Sequence, residues 1–386
     1  MLTLLILIII YISFISLGMQ YSLLGSAWPS ISGFVNVPLH YAGYVSIIIT
    51  GGMAIAAVLS GKIVRHFGTV TVIAASVLIT ASGLMFFSFS STFFFICLCA
   101  IPLGLGAGSV DASLNNYVAL HYKARYMSWL HCFWGVGASI GPIIMSSYLL
   151  HRNSWSLGYR TVSVIQFCLV LLLFFSIPLW EKNKIKNPVQ HHSIKFTELF
   201  KIAGFKEAIV VFLCYSSIEV IAALWGASFM VTEKNIPREV AAKWIALFYI
   251  GMTSGRFISG FISIKLNNRQ MIRLGQTVIG CGIVLLVLPL GNTMLLPGFF
   301  MIGLGCAPIY PSLLHQTPAN FGKEYSQAMM GIQMGCSFLG ATLFPLLFGQ
   351  LASHISFKIF SISIGVLLIF NIIMVEVLNR KIDRKK

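Results

Sequence analysis

Long apolar segments alternate with short polar stretches along the chain. A bilayer core needs about 20 apolar residues per helix, and the sequence provides twelve such segments. The first lacks a basic n-region and an A-x-A-like cleavage site, so we interpret it as a retained span rather than a signal peptide. The predicted spans are Leu2–Ser26, Leu39–Ser60, Thr69–Phe89, Thr92–His121, Tyr126–Leu150, Tyr159–Trp180, Glu207–Val231, Val240–Ile264, Met271–Leu290, Thr293–Gln316, Tyr325–Ala352 and Phe357–Leu378. This pattern predicts an all-α membrane protein with twelve transmembrane helices.

The charge distribution gives the predicted spans an orientation. The chain is 57% hydrophobic and 9% charged, with a net charge of +16. Nineteen of the 26 lysines and arginines fall in the loops of one side and six in those of the other, with Arg256 inside a span. This asymmetry predicts cytoplasmic termini in a cell membrane. The asymmetry also argues against nucleic acid as a partner. We expect a monomer whose partners are lipid, a small solute and protons.

The sequence divides near its centre. We predict an N-terminal six-helix bundle at 1–180, a cytoplasmic linker at 181–206 and a C-terminal six-helix bundle with a basic tail at 207–386. Short motifs recur between the two bundles at an offset of 198 or 199 residues; Gly104-Leu105-Gly106, for example, matches Gly303-Leu304-Gly305. We interpret the adjacent His191 and His192 as a solvated loop pair of the linker.

One carboxylate stands out inside the fourth predicted span. Gly104, Gly108, Asp111 and Asn115 are spaced four, three and four residues apart, so they share one helix face. A charge at membrane depth is expensive and usually faces a bundle interior or a water-filled path. Glu219, in the seventh predicted span, is the acid well inside a span of the second bundle, and both acids lie about 18 Å along a helix from the cytoplasmic end.

We predict proton coupling by Asp111 and Glu219, since burial disfavours the charged form of a carboxylate. Two alternatives remain open. The Asp111 carboxylate can bond neighbouring Asn or Ser side chains permanently and only fix helix packing, or it can contact a cationic solute directly. For Glu219, solute binding is a further alternative.

Other polar and aromatic residues inside the spans are candidates for solute contact or gating. Amides donate and accept hydrogen bonds, and aromatic rings offer flat faces to a sugar. The predicted solute-binding residues are Gln20, Asn115, Asn116, Trp134, Tyr215, Trp225, Tyr310 and Gln333; the predicted gating residues are Lys62, Arg65 and Arg256. We interpret His131 as a packed, neutral side chain. The sequence offers no metal-ligand spacing, cofactor motif or catalytic array, and we expect no enzyme.

Several of these segments resemble the major facilitator superfamily of secondary transporters. GKIVRHFG after the second span is similar to its cytoplasmic loop motif, although Arg65 stands where an Asp is usual. The fourth span looks like that of the fucose/proton symporter branch, with Asp111 at the acid, Asn115 at the Asn and Asn116 in place of a Pro. Gly25 stands where the fucose symporter has its other acid. The resemblance implies parallel six-helix repeats and a solute site near mid-membrane.

The prediction that follows is a secondary transporter that works by alternating access. We expect proton-coupled uptake of a sugar or a similar small neutral solute. The main alternative is a proton-driven efflux antiporter for drugs or metabolites, and a third is a transporter-like sensor without solute flux.

Overall fold

Twelve long helices make up most of the described chain. The computed structural model describes residues 2–38, 41–182, 201–236, 238–289 and 291–384. In these ranges the helices are α1 Leu2–Phe34, α2 Ala42–Phe67, α3 Thr69–Phe87, α4 Phe93–His121, α5 Ala124–Arg152, α6 Trp155–Lys182, α7 Phe205–Lys234, α8 Arg238–Ile262, α9 Asn268–Val287, α10 Leu295–Phe321, α11 Ser326–His354 and α12 Ile359–Asp383. Each contains a stretch long and apolar enough to cross a membrane.

The helices extend past several of the predicted spans. The prediction ended α2 at Ser60, where the apolar run stops, but the helix continues to Phe67. Lys62 and Arg65 lie in this extension, so the last turns hold charges that a hydrocarbon core would reject. Gly68 then adopts a positive φ of 81° and its N–H bonds the Val64 carbonyl, which ends the helix.

Glycines bring helix backbones into direct contact at equivalent places in the two halves of the sequence. A Cβ added to Gly104 would overlap the Ile49 carbonyl oxygen, and one added to Gly303 would overlap the Phe248 carbonyl oxygen. Only a residue without a side chain allows such an approach. Both members of the second pair lie 199 positions after those of the first, so α4 on α2 and α10 on α8 use equivalent contacts. This supports the internal repeat.

The chain forms two compact units. The first contains Met1–Tyr117, Leu130–His192 and Lys323–Gly331, and the second contains Val118–Trp129, Ser193–Gly322 and Ile332–Lys386, as far as these residues are described. The α4–α5 turn therefore falls in the second unit, although the prediction places it in the N-terminal bundle. The start of α11 falls in the first unit, although the prediction places it in the C-terminal bundle. The predicted bundle boundaries stay a prediction, because most of the linker, including His191 and His192, lies outside the described residues.

Ion pairs between described residues join the end of α12 to α7 and α9 within the second unit. Arg269 on α9 contacts Asp383 at 2.7 Å, and Arg273 on the same helix contacts Glu376 at 2.8 Å. Lys381 reaches Glu207 on α7 at 2.6 Å. These pairs are largely solvent-exposed, so each contributes little to stability.

Candidate functional site

Asp111 is the partly exposed end of a directed hydrogen-bond chain in the first unit. Its helix, α4, lies against α2 through Gly104 and Gly108, and the carboxylate follows one turn later. The Asn115 amide nitrogen lies 2.7 Å from Asp111 Oδ1 and 2.9 Å from the Asp111 carbonyl oxygen. Asn115 is fully buried. The i, i+4 spacing thus gives the carboxylate a neutral donor from its own helix.

His131 extends this chain from the neighbouring helix α5. Its Nε2 lies 3.2 Å from Asn115 Oδ1, and its ring meets Phe14 of α1 edge-on at 5.7 Å between centroids. The side chain is 7% exposed. Sequence reasoning placed His131 in packing and missed the link to Asp111, because the register between two helices leaves no signature in either helix alone.

The second unit holds Glu219 in a different environment. Glu219 lies one turn after Tyr215 on α7 and is partly exposed. The Tyr215 hydroxyl donates to the Cys306 carbonyl oxygen at 3.0 Å. Glu219 and Arg256 both lie close enough to Tyr215 and Cys306 to act on them electrostatically. The Glu219 carboxyl group and the buried Arg256 guanidinium therefore act on the same two residues of this unit.

Arg256 differs from the other two predicted gating residues in its burial. It is 7% exposed, whereas Lys62 and Arg65 lie on the last, more exposed turns of α2. Arg256 acts electrostatically on Tyr215 and Cys306, and its predicted gating role stays a prediction.

The remaining predicted amide ligands are engaged by protein groups. Gln20 donates to the Leu103 carbonyl oxygen at 3.2 Å and accepts from Gln166 at 3.2 Å. Asn116 accepts from Ser326 at 2.7 Å, and Gln333 accepts from Thr317 at 2.8 Å. All three predicted residues are buried. These contacts engage Gln20, Asn116 and Gln333 within the protein, and their predicted solute contact stays a prediction.

The predicted aromatic residues divide by exposure. Tyr215 is 1% exposed. Trp225 is partly exposed, and its indole donates to the Pro345 carbonyl oxygen at 2.9 Å. Trp134 is partly exposed beside Tyr21, with ring centroids 5.4 Å apart. Tyr310 is partly exposed, and its ring centroid lies 5.8 Å from that of Tyr215. Trp134, Trp225 and Tyr310 therefore keep accessible surface that the buried Tyr215 lacks.

The potential metal-ligating side chains of the described ranges lie apart from one another. No group of three or more His, Cys, Asp or Glu side chains converges among those residues. The eight cysteines are free thiols.

Twelve membrane-length helices among the described residues, with close glycine contacts between them, identify a polytopic membrane protein. The chain belongs to the Major Facilitator Superfamily, whose family model matches residues 10–206 and 208–385. It is a multi-pass membrane transporter of that superfamily, as the sequence predicted.

Three known proteins illustrate the similarity. The glucose/mannose transporter GlcP of Bacillus subtilis (strain 168) is 26% identical over 359 residues, which cover 86% of this chain and 84% of GlcP. The structure of a single-residue variant of the E. coli fucose:proton symporter FucP has a TM-score of 0.73 at 13% identity and covers 96% of this chain and 98% of FucP. The proton:xylose symporter XylE, bound to 6-bromo-6-deoxy-D-glucose, has a TM-score of 0.72 at 11% identity over 98% of this chain and 95% of XylE. At these identities the two structures show the shared fold alone.

Proposed function

We propose that the protein takes up a sugar or a similar small neutral solute together with protons, by alternating access across the cell membrane. The single observation that carries this proposal is the partly exposed Asp111 carboxylate inside a membrane-length helix, held by Asn115 and linked to His131. The relative named for glucose and mannose transport supports the substrate class. Both termini are cytoplasmic in this proposal, the protein acts as a monomer in lipid, and the solute leaves chemically unchanged.

The coupling mechanism follows from the cost of a charge at membrane depth. An ionised Asp111 needs water or donors, so enclosing it is expensive. A proton from the exterior neutralises it and lowers that cost, which allows the solute-loaded protein to change the side on which it opens. The proton shifts this equilibrium only by its differential affinity for the two states. Release of the proton on the cytoplasmic side returns the charge and resets the cycle.

Glu219 has a second role in this mechanism. Arg256 shares its neighbourhood, so a net charge need not remain there when the site closes. Asp111, by contrast, is hydrogen-bonded by a neutral amide. We therefore assign the main coupling step to Asp111 and an auxiliary coupling or solute-orienting role to Glu219.

The solute contacts proposed are the partly exposed groups. Trp134 on α5, Trp225 on α7 and Tyr310 on α10 offer ring faces, and Glu219 offers an acceptor for a hydroxyl. Asn115 acts through Asp111 in this conformation, because its amide already makes three hydrogen bonds.

Uptake by purified protein in liposomes tests the proposal. Labelled D-glucose, D-mannose, L-fucose and D-xylose are offered one at a time with an acidic exterior. We expect at least one sugar to accumulate above its external concentration, and a protonophore to abolish this accumulation. If no sugar accumulates and a lipophilic cationic dye is instead extruded against a proton gradient, the uptake proposal is wrong and the efflux alternative holds.

A further inference from the structure

The hydrogen-bond directions around Asn115 can be derived from geometry. The Asp111 carbonyl oxygen can only accept, and the nearest side-chain atom of Asn115 lies 2.9 Å from it. That atom must be the amide nitrogen, since an oxygen there would leave two acceptors face to face. Both amide hydrogens are then directed at Asp111, one to its carbonyl and one to Oδ1.

The geometry likewise shows that His131 Nε2 carries a hydrogen. With its nitrogen turned toward Asp111, the Asn115 side chain presents Oδ1 to α5, and this oxygen can only accept. His131 Nε2 lies 3.2 Å away, so Nε2 carries a hydrogen. The ring is either the Nε2–H tautomer or the imidazolium, and both donate in the same direction.

We propose that His131 is a positioning residue for proton coupling, which holds the Asn115 amide as a donor to the Asp111 carboxylate by donating from Nε2 to Asn115 Oδ1. The inference rests on the proposed role of Asp111 and adds a residue to it. His131 exerts this effect on the carboxylate through Asn115.

Burial gives the His131 donor its importance. Asn115 is 0% exposed, so water cannot replace the donor to its Oδ1 if the histidine is removed. A buried acceptor without a hydrogen-bond partner costs free energy, so we expect the Asn115 side chain to turn away from its position. This movement removes the hydrogen bond from Asn115 to the Asp111 carboxylate. The ionised form of Asp111 is then less stable when the proton is released.

The described contacts that α2 and α11 make near Asp111 come from side chains that do not titrate. From α2, Ile49 and Met53 contact the α4 glycines. From α11, Ser326 bonds Asn116 and Gln327 bonds the Ala112 carbonyl. Among these described contacts, His131 is the titratable side chain joined to the carboxylate through Asn115.

Glutamine and asparagine provide a matched pair of variants at position 131. A Gln side chain places its amide nitrogen near the Nε2 position, whereas Asn reaches only the Nδ1 position. We expect His131→Gln to retain proton-driven D-glucose accumulation, and His131→Asn and His131→Leu to lose it roughly tenfold, the effect of about one buried hydrogen bond. All three are expected to retain D-glucose exchange across liposomes without a gradient. His151→Leu, at the exposed end of the same helix, is the control and should match the parent.

The outcomes separate the two proposals. If Asp111→Asn abolishes accumulation while His131→Leu matches the parent, the coupling role of Asp111 stands and the positioning role is wrong. If Asp111→Asn accumulates D-glucose like the parent, the coupling role itself is wrong. A Gln variant as inactive as the Leu variant also overturns the positioning role.

A second measurement needs no solute. In 15N-histidine-labelled protein in detergent, the His131 signal is the one lost in His131→Gln. We expect a hydrogen-bearing Nε2 whose signal shifts in Asn115→Leu and in Asp111→Asn. A Nε2 without hydrogen, or a signal unchanged in both variants, contradicts the proposal.

Discussion

A buried chain of amides should couple the stability of four helices in the first unit. Thr80 on α3 donates to Gln166 Oε1 on α6 at 2.9 Å. Gln166 donates to Gln20 on α1 at 3.2 Å, and Gln20 donates to the Leu103 carbonyl of α4 at 3.2 Å. Gln166 is 1% exposed and Gln20 is 8% exposed, so solvent cannot substitute for a lost partner.

The expected loss of unfolding free energy depends on which buried groups a substitution leaves without a hydrogen-bond partner. Gln166→Leu removes two bonds, but the Thr80 hydroxyl still has the Val77 carbonyl at 2.9 Å. Only Gln20 Oε1 loses its described donor. An unsatisfied buried acceptor costs about 1–3 kcal/mol, whereas a hydrogen bond between membrane helices contributes about 0.6 kcal/mol on average. We expect the free energy of unfolding to fall by about 1–3 kcal/mol.

A double-mutant cycle checks this reasoning. Gln20→Leu and Gln166→Leu are measured singly and together by equilibrium unfolding in mixed SDS micelles. In the double variant neither glutamine remains to lack a partner. Its loss of unfolding free energy should therefore be about 1 kcal/mol smaller than the sum for the two single variants. The uptake KM of Gln20→Leu should also stay near that of the parent. Additive costs, or a raised KM with unchanged stability, would refute the packing role and return Gln20 to the solute site.

Three further substitutions test separate contacts. Gly137→Leu should reduce the yield of monodisperse protein in size-exclusion chromatography, because a Cβ there would overlap a carbonyl oxygen of α1; Gly25→Ala, with open space around it, should match the parent. Tyr215→Phe should lower the free energy of unfolding by about 0.5–1.5 kcal/mol through its lost bond to the α10 backbone, and an unchanged value would contradict that bond's contribution. Arg273→Gln should leave the thermal midpoint unchanged, since its pair with Glu376 is exposed; a clear drop would show that the pair anchors α12.

Local periodicity was sufficient to predict the helices and one part of the site. Apolar runs gave the twelve spans, and the four-residue spacing of Asp111 and Asn115 predicted their shared face. Helix ends differed where charges begin, as at Lys62, because a helix continues into water beyond its apolar run. Spacing within a helix is a property of the sequence itself, which explains why these features could be predicted.

Contacts between helices could not be predicted in the same way. His131 meets Asn115, and Gln20 meets Gln166, through the rotation and register of different helices. The sequence position of Arg256 gives only its depth, whereas its electrostatic effect on Tyr215 follows from the packing of α8 in its unit. Such pairings depend on side-chain packing of the whole unit, which one helix's pattern does not contain.

Proton-driven accumulation by Asp111→Asn is the most direct test of the coupling role. The variant keeps the size and polarity of the side chain but cannot release a proton. In liposomes with an acidic exterior, we expect no uphill accumulation of the transported sugar by the variant, while exchange of that sugar without a gradient persists. Accumulation equal to that of the parent protein, abolished by a protonophore, would contradict it.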